Sequence, residues 1–414
     1  MSPDPGPAPS SPASGDRAAY LADMSRLLWP GQRASSGPVT SDFLVLPGLS
    51  RPRLLVPAGR RPGATAIRRY GEPGSRRTLL ATRGLALLLR AGLGSAVLRD
   101  RLTLRLPAGT ATIETYLREQ LGEPVRVSMH LGAARANRKP VLQLLTPAGE
   151  TVGFAKIGVN DLTRELIQAE REALTRLGQA GLTSLSVPAV LHAGRWAELD
   201  VLELSPLATW RRRTPLTAGA LARAMTEVAA VGGLSRQPLA ASDYWQRLES
   251  RLAGLDDTAQ RTALQAAVAQ IGSAAGRQEL SFGAWHGDWT PWNMASTRDG
   301  LQVWDWERFC AGVPVGFDAA HHWLQEQVVP GRREPQAAAR ECVDRASALL
   351  GPLGVPAAEA RLTVLLYLAD LSARYLADRQ ADGELGLGRP GRWLIPALTA
   401  GLAQLPLEPV QERH

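Results

Sequence analysis

Hydrophobic and polar positions alternate with a two-residue period in VRVSMHLG (125–132), as in a β-strand. Further strand-like runs follow it along the chain, namely VLQLLT (141–146), TVGFAKIG (151–158), VPAVLHAG (187–194) and LDVLELSPL (199–207). The turn PAGE separates the second segment from the third, which predicts a β-hairpin. This part of the chain is therefore expected to be rich in β-strands.

A helical period of three to four residues marks other segments. Residues 161–181 place three leucines and Glu170 on one face, and residues 112–122 show a similar apolar face. Helical patterns also dominate from residue 208 to the end, apart from a Trp-rich turn. Strands early in the chain and helices later predict an α+β fold with two lobes.

The pattern divides the chain into four parts. Residues 1–40 begin with PDPGPAPSSPASG and lack the apolar content to fold, which predicts a disordered lead-in. Residues 41–110 contain two strand-like runs and an Arg-interrupted apolar stretch, which predicts a small accessory N-terminal subdomain of unassigned role. Residues 111–207 would form the β-rich N-lobe with its hinge, and residues 208–414 the helical C-lobe.

Composition narrows the class of protein. The chain has 414 residues and a net charge of +8, but only two of its 47 basic residues are lysines, which indicates a coding bias rather than a nucleic-acid partner.

The two cysteines fit neither a disulfide framework nor a metal cluster and are expected to be free thiols. Without a signal peptide or a long apolar run, we expect a cytoplasmic protein without stable membrane insertion. The apolar stretch 78–98 carries two arginines and predicts an amphipathic helix.

The segment AWHGDWTPWNM (284–294) holds the most informative polar residues. Asp288 precedes Asn293 by five positions, and Asp305 follows within VWDWERF. A carboxylate and an amide oxygen in one pocket could accept a proton from a hydroxyl and hold a divalent cation. Asp305 lies between apolar residues, where a metal would offset the cost of burying its charge. The alternative is an ordinary turn at His-Gly-Asp with the tryptophans in the core.

Lys156 is the second informative position. It lies in the middle of a predicted strand, where a charge is costly unless it is paired. In a chain that uses arginine almost throughout, a lysine here suggests a compact cation that meets a phosphate and a carboxylate. Glu170 on the apolar face of the next helix is the expected partner, and Glu165 is the second choice. Alternatively, Lys156 ends an edge strand and extends to water.

These residues together resemble the aminoglycoside phosphotransferase and choline kinase family, relatives of the protein kinases. The resemblance covers about residues 120–400 and implies a bilobal protein-kinase-like fold that uses ATP and Mg²⁺. It implies Asp288 as catalytic base, Asn293 and Asp305 as metal ligands, and Lys156 as the anchor of the α- and β-phosphates. Glu170 would orient this lysine, and the hinge would meet adenine through backbone groups of Glu203, Leu204 and Ser205.

The sequence departs from the family pattern at two places. The loop 132–140 has a single glycine, so that Arg138, or its neighbours Arg135, Asn137 and Lys139, would have to cover the phosphates. Asp305 is followed by Trp-Glu rather than Phe-Gly, which argues against activation-loop switching of the protein-kinase type.

The function expected from the resemblance is transfer of the γ-phosphate of Mg-ATP to a hydroxyl of a sugar, aminoglycoside or similar metabolite. Trp289 and Trp292 could stack on this acceptor, or they could belong to the core. Asp318, expected to be structural, and His321 lie on the segment that follows. The alternatives are a kinase-shaped binding or regulatory protein without turnover and a peptide-modifying kinase. The oligomeric state is not indicated by the sequence.

Overall fold

The computed structural model describes residues 13–31, 39–69, 76–94, 98–132, 137–382 and 393–404. The chain divides into two compact units by its internal contacts. The first comprises residues 1–167 and 190–206, and the second residues 168–189 and 207–414. The first is built around one large sheet and the second is mainly helical. The predicted α+β class is thereby confirmed.

The first unit contains one eight-stranded sheet. Its strands are β1 (Val39–Leu46), β2 (Leu54–Pro57), β3 (Arg101–Arg105), β4 (Arg126–His130), β5 (Val141–Leu145), β6 (Thr151–Gly158), β8 (Val190–Trp196) and β9 (Leu199–Leu204). They lie in the order β3-β1-β2-β4-β5-β6-β9-β8. The strands predicted within residues 125–207 all form, with ends that shift by a few residues. The hairpin predicted around PAGE is the antiparallel pair β5–β6.

The sheet runs across the boundary predicted at residue 110. Strand β2 pairs with β4 in an antiparallel ladder in which Leu54 lies opposite His130 and Leu55 opposite Met129. Strands β1 and β3 pair on the far side of β2 and extend the same sheet. The region predicted as an accessory subdomain therefore supplies three strands to the sheet that continues through residues 111–204.

The helices of the first unit are α1 (Ala13–Leu28), α2 (Arg60–Arg69), α3 (Arg76–Arg90) and α4 (Ile113–Leu121). Helix α1 corrects the prediction of a disordered lead-in over residues 1–40 for these sixteen positions. Leu21, Met24 and Leu28 recur at helical spacing and are buried in the same hydrophobic cluster as strand residues. The Pro-rich opening obscured this short apolar face, because average composition does not detect periodicity.

The second unit is mostly helical. Helix α5 (Asp161–Gln179) begins in the first unit and continues into the second. The other helices of the second unit are α6 (Ala218–Ala229), α7 (Asp243–Ala253), α8 (Ala259–Ala275), α9 (Phe317–Val328), α10 (Pro335–Asp344), α11 (Ala346–Leu350), α12 (Ala357–Asp382) and α13 (Leu394–Leu402). Two small sheets accompany them, made of β10 (Ser235–Pro238), β11 (Glu279–Trp285) and β14 (Cys310–Pro314), and of β7 (Leu185–Ser186), β12 (Met294–Thr297) and β13 (Gly300–Val303).

Helix α12 forms the centre of the second core. Its residues from Leu362 to Leu371 are almost completely buried against the neighbouring helices. Across the described residues, no single helix has the length and apolar character to span a bilayer, although the bent pair Ala346–Leu353 and Ala357–Asp378 meets both criteria together.

Candidate active site

A tight hairpin explains the spacing between Asn293 and Asp305. Strands β12 and β13 pair with Met294 opposite Val303, and the Trp304 amide donates a hydrogen bond to the Asn293 carbonyl at 3.0 Å. Asn293 immediately precedes the first strand, and Asp305 follows the second by two residues. The hairpin therefore returns the chain so that the two predicted metal ligands come from the same end of one β-ladder.

Asp318 fixes the turn that carries the candidate base. Its two carboxylate oxygens accept hydrogen bonds from the backbone amides of His286 at 2.7 Å and Gly287 at 3.2 Å. Burial raises the pKa of Asp318 to about 7, although both amide donors favour the ionised form. Gly287 has φ +83°, and a side-chain carbon there would collide with the Arg308 carbonyl, so the turn requires glycine. Asp318 is thus structural, as predicted.

His286 braces the same turn. The Asp288 amide donates to its Nδ1 at 3.1 Å, so the proton resides on Nε2, which donates to the Trp304 carbonyl at 3.0 Å. Burial lowers the pKa of His286, while the charge of Asp288 acts in the opposite direction. A neutral, completely buried imidazole with both nitrogens engaged can hold the loop against the β12–β13 hairpin. It cannot readily exchange a proton with a substrate.

Both oxygens of Asp288 are held by side chains. The Asn293 amide Nδ2 donates to Oδ2 at 2.9 Å and also to the Asp288 carbonyl at 3.0 Å. His321, on helix α9, lies with its Nε2 at 3.1 Å from Oδ1. Because an ionised carboxylate only accepts hydrogen bonds, His321 Nε2 carries the proton, and its Nδ1 accepts from the Tyr367 hydroxyl at 3.0 Å. A chain of three side chains therefore fixes the orientation of the carboxylate.

The surroundings of Asp288 favour its ionised form. Burial would raise the pKa of this carboxyl, but the hydrogen bond from His321 and the charge of Arg374 outweigh that effect and leave the pKa below its usual value. Arg374, on helix α12, also donates to the Gly287 carbonyl at 2.6 Å. Asp288 nevertheless retains about a third of its side-chain exposure, 37%. It is an oriented carboxylate with part of its side chain open to solvent.

An acidic group lies next to this loop. Ligand-capable oxygens of Glu170, Asp305 and Glu307 all lie within 4.8 Å of one another, and the glutamates are buried. The Trp306 amide donates to Glu170 Oε1 at 3.3 Å, and Asp305 has the left-handed φ of 71°. Three carboxylates this close repel one another unless a cation is present, so the group is suited to a divalent ion.

The orientation of Asn293 also fits a metal. Its Nδ2 is directed at Asp288, which leaves Oδ1 as the acceptor that can ligate a cation. Amide and carboxylate oxygens are the ligands that Mg²⁺ prefers. The donor set at Asn293 and Asp305 therefore fits the predicted metal.

The remaining predicted residues belong to the first unit. Lys156 is buried in β6, opposite Val141 on one side and Leu202 on the other. Its role and its pairing with Glu170 stay predictions. Arg138 lies with its guanidinium carbon 3.5 Å from the centre of the Tyr20 ring, and Tyr20 itself is on α1. Arg135 lies outside the described residues.

Glu203, one of the three predicted hinge residues, has its side chain buried within the sheet. It is completely buried within β9, paired with Ala155 of β6 and His192 of β8. Its carboxylate oxygens make no hydrogen bond to any described residue, and burial raises its pKa to about 7. Leu204, which ends the strand, is likewise paired on both sides, with Phe154 of β6 and Val190 of β8, and Ser205 follows the strand. The hinge role of these three residues stays a prediction.

The tryptophans of the turn have different environments. Trp289 is completely buried, packs at 6.3 Å from Trp306 between ring centroids and donates to the Met294 sulfur at 3.4 Å. Core packing, the alternative weighed from the sequence, is therefore its role, and Trp289 cannot stack on an acceptor. Trp292 is partly exposed.

A small cavity lies beside the loop. It has a volume of about 220 Å³ and is lined by Trp285, Arg308, Arg374 and Asp378, among others. Arg374, which also holds the Gly287 carbonyl, connects this cavity to the loop that carries Asp288. Its volume suits one ring or a short hydroxylated group rather than a large ligand.

Sequence reasoning missed two residues that act on the loop, Tyr367 and Arg374, and gave His321 no specific role. All three lie on helices far along the chain from Asp288. The one sequence signal that could have indicated them is a polar residue on an otherwise apolar helix face, and Arg374 in α12 is such a residue.

Comparison with known proteins identifies a family. Residues 146–352 match the model of the phosphotransferase enzyme family (APH). No curated protein sequence matches the chain significantly.

Several solved structures are similar to the chain at low sequence identity. A thermostable mutant of aminoglycoside phosphotransferase APH(4)-Ia, in ternary complex with AMP-PNP and hygromycin B, is 14% identical over 71% of this chain and 98% of its own, with a TM-score of 0.47. Choline kinase LicA from Streptococcus pneumoniae is 15% identical over 70% of this chain and 99% of its own, with a TM-score of 0.44. A choline/ethanolamine kinase family protein from Mesorhizobium loti is 16% identical over 65% and 86%, with a TM-score of 0.40.

The fold and the loop thus define a protein of the kinase-like phosphotransferase class. The chain belongs to the phosphotransferase enzyme family, since the family model matches half of its length. The resemblance read from the HGD-x4-N segment is confirmed at the level of this family, and the expectation of a phosphotransferase is confirmed with it.

Proposed function

We propose that this protein is a small-molecule kinase that transfers the γ-phosphate of Mg-ATP to a hydroxyl of a sugar or similar hydroxylated metabolite, with Asp288 as the base. The observation that carries the proposal is the arrangement around Asp288, whose two oxygens are held by Asn293 and His321 while the side chain remains accessible. Phosphoryl transfer requires mainly positioning and charge neutralisation. A carboxylate fixed in this way can orient the acceptor hydroxyl and take its proton as the phosphate is transferred.

Asn293 and Asp305 would hold Mg²⁺ through oxygen atoms, and the ion would neutralise charge on the transferred phosphate. Glu170 and Glu307 lie within reach of Asp305 and increase the negative charge that attracts the cation. Lys156 would contact the α- and β-phosphates, and the hinge residues Glu203, Leu204 and Ser205 would contact the adenine through backbone groups. We also place the enzyme in the cytoplasm, where ATP is available and the free thiols of Cys310 and Cys342 remain reduced.

The acceptor would bind beside the Trp-rich loop, where Asp288 is accessible, rather than stack on the buried Trp289. The cavity of about 220 Å³ beside this loop does not have Asp288 in its lining. Its Arg308–Asp378 and Arg251–Asp370 ion pairs offset each other's charge, so the cavity gives no electrostatic preference between neutral and cationic acceptors. A sugar or sugar-like compound stays our preference among the acceptors that the resemblance allows.

The test is γ-phosphate transfer from Mg-ATP to a panel of sugars, amino alcohols and aminoglycosides, with Asp288→Asn beside the wild type. We expect a phosphorylated product with the wild type and a loss of about 10²–10⁴-fold in the variant, the usual contribution of a general base. Nucleotide binding, followed by calorimetry, should be retained by both proteins. Equal turnover by both would contradict the role of Asp288, and absence of nucleotide binding would contradict the kinase function.

A further inference from the structure

The charge of the chain is concentrated in a segment that the proposed function does not use. Residues 51–99 contain eleven arginines and one acidic residue, Glu72. This excess is larger than the net charge of the whole chain, +8. A coding bias that favours arginine over lysine does not explain why acidic residues are missing here, because it acts on the choice between the two cations.

Helices α2 and α3 present part of this charge on facing sides of one cavity. Arg61 and Arg68 come from α2, and Arg83 and Arg90 from α3, around a cavity of about 580 Å³. Among the described residues, none that lines the cavity is acidic, and none of these four arginines forms an ion pair with another described residue. Four exposed cations that share one cavity repel one another, and an anion between them would relieve that repulsion.

The packing of the two helices arranges the arginines as pairs. A side-chain carbon placed on Gly92 would lie 2.7 Å from the guanidinium of Arg60, so the end of α3 adjoins the start of α2. The helices therefore run antiparallel, which places Arg61 and Arg90 toward one end of the two helices and Arg68 and Arg83 toward the other. Each pair is separated from the next by seven residues of helix, or roughly 10 Å.

The floor and the rim of the cavity are formed by small and apolar groups. Ala64 and Ala86 are buried residues of its lining, and Leu87, between Arg83 and Arg90 along α3, has 68% of its surface exposed. Gly149, in the β5–β6 turn, closes one side, where a side-chain carbon would lie 2.8 Å from the backbone of Arg61. The turn and the helix thus fit closely, which gives the cavity a defined wall.

We propose that the cavity between α2 and α3 binds a phosphate-bearing ligand through Arg61, Arg68, Arg83 and Arg90. Guanidinium groups bind phosphate through paired N–H donors, and a volume of about 580 Å³ is typical of small-molecule sites. The phosphate belongs either to a soluble compound or to a lipid headgroup. In the second case Leu87 and the equally exposed Leu80, one heptad earlier on α3, would contact the lipid surface.

The site is tested with two probes on the full-length protein. Tripolyphosphate binding is measured by calorimetry without Mg²⁺, and vesicle binding by co-sedimentation with phosphatidylglycerol–phosphatidylcholine and with phosphatidylcholine alone. The variants are Arg61→Gln/Arg90→Gln, Arg68→Gln/Arg83→Gln and all four changes together. Arg51→Gln/Arg118→Gln serves as the control, because both arginines are exposed in the same unit and lie outside the cavity.

We expect each pair of changes to weaken binding of the effective probe about tenfold or more, with no change in the control. Binding of tripolyphosphate identifies a soluble phosphate ligand, and binding that requires phosphatidylglycerol identifies a lipid headgroup. Absence of binding to both probes overturns the proposal, as does a fourfold variant that binds like the control. If Lys156→Ala abolishes tripolyphosphate binding and the arginine changes do not, the anion lies in the nucleotide site, and the proposal is also wrong.

Discussion

The hydrogen bond from His321 to Asp288 leads to the sharpest prediction. His321→Leu removes the donor to Oδ1 and leaves a side chain of similar size in a site that is 1% exposed. A hydrogen bond to a charged group contributes about 1.5–3 kcal/mol. If this contribution orients the base in the transition state, kcat should fall by roughly 10- to 150-fold. The KM for Mg-ATP should not change, because His321 contacts the base rather than a predicted nucleotide-binding residue.

The pH profile distinguishes positioning of the base from general support of the fold. In the wild type the pKa of Asp288 lies below its usual value, so its protonation should not limit kcat/KM between about pH 5 and 8. Without the donor, burial should raise the pKa of Asp288 and shift the acid limb of the pH profile to higher pH. His321→Gln can present an amide N–H to Asp288 and should recover much of the loss. Tyr367→Phe removes the donor to Nδ1 of His321, so that the proton is no longer held on Nε2. This change should lower kcat about fivefold.

The assay is initial-rate phosphoryl transfer to the acceptor found with the wild type, from about pH 4.5 to 9. His322→Leu is the matched control, because this neighbouring histidine on α9 is also buried but makes no hydrogen bond to Asp288. Equal losses in the Leu and Gln variants of His321, with an unchanged pH profile, would refute the reasoning. A loss confined to thermal stability would also refute it.

Three further predictions concern single carboxylates. Asp305→Asn should raise the Mg²⁺ concentration needed for half-maximal activity at least about tenfold, whereas Asp299→Asn in the same hairpin should not. Equal Mg²⁺ dependence of the Asp305→Asn variant and the wild type would exclude Asp305 as a ligand. Asp318→Asn should lower stability by about 1–3 kcal/mol in urea unfolding, because one amide of the His286–Gly287 turn then faces an N–H group rather than an acceptor. Glu203 should make the protein less stable as pH rises, since its folded-state pKa of about 7 lies above the ordinary 4.5 and the folded state binds the proton more tightly. Between about pH 4.5 and 7 the loss should approach about 3 kcal/mol and be absent in Glu203→Gln, and parallel pH dependence of unfolding in both proteins would contradict it.

The local parts of the site could be predicted from sequence, and the long-range parts could not. Asp288, Asn293 and Asp305 lie within eighteen positions, and a short hairpin is enough to bring the last two together. His321 contacts Asp288, and Tyr367 contacts His321, only because α9 and α12 pack in the second core, and no spacing rule encodes that packing. Trp289 shows a related difficulty. An aromatic residue in a polar turn can face a ligand or the core, and only the packing against Trp306 decides between them.

The pairing of β2 with β4 has a consequence for shortened forms of the protein. The family match begins at residue 146, between β5 and β6, although the sheet continues through five more strands encoded upstream. A chain begun near residue 111 would retain every predicted kinase residue but leave β4 as an uncovered strand edge. Such an edge offers its free amides and carbonyls to other chains and promotes self-association. Solubility of the catalytic part should therefore depend on residues that have no role in phosphoryl transfer.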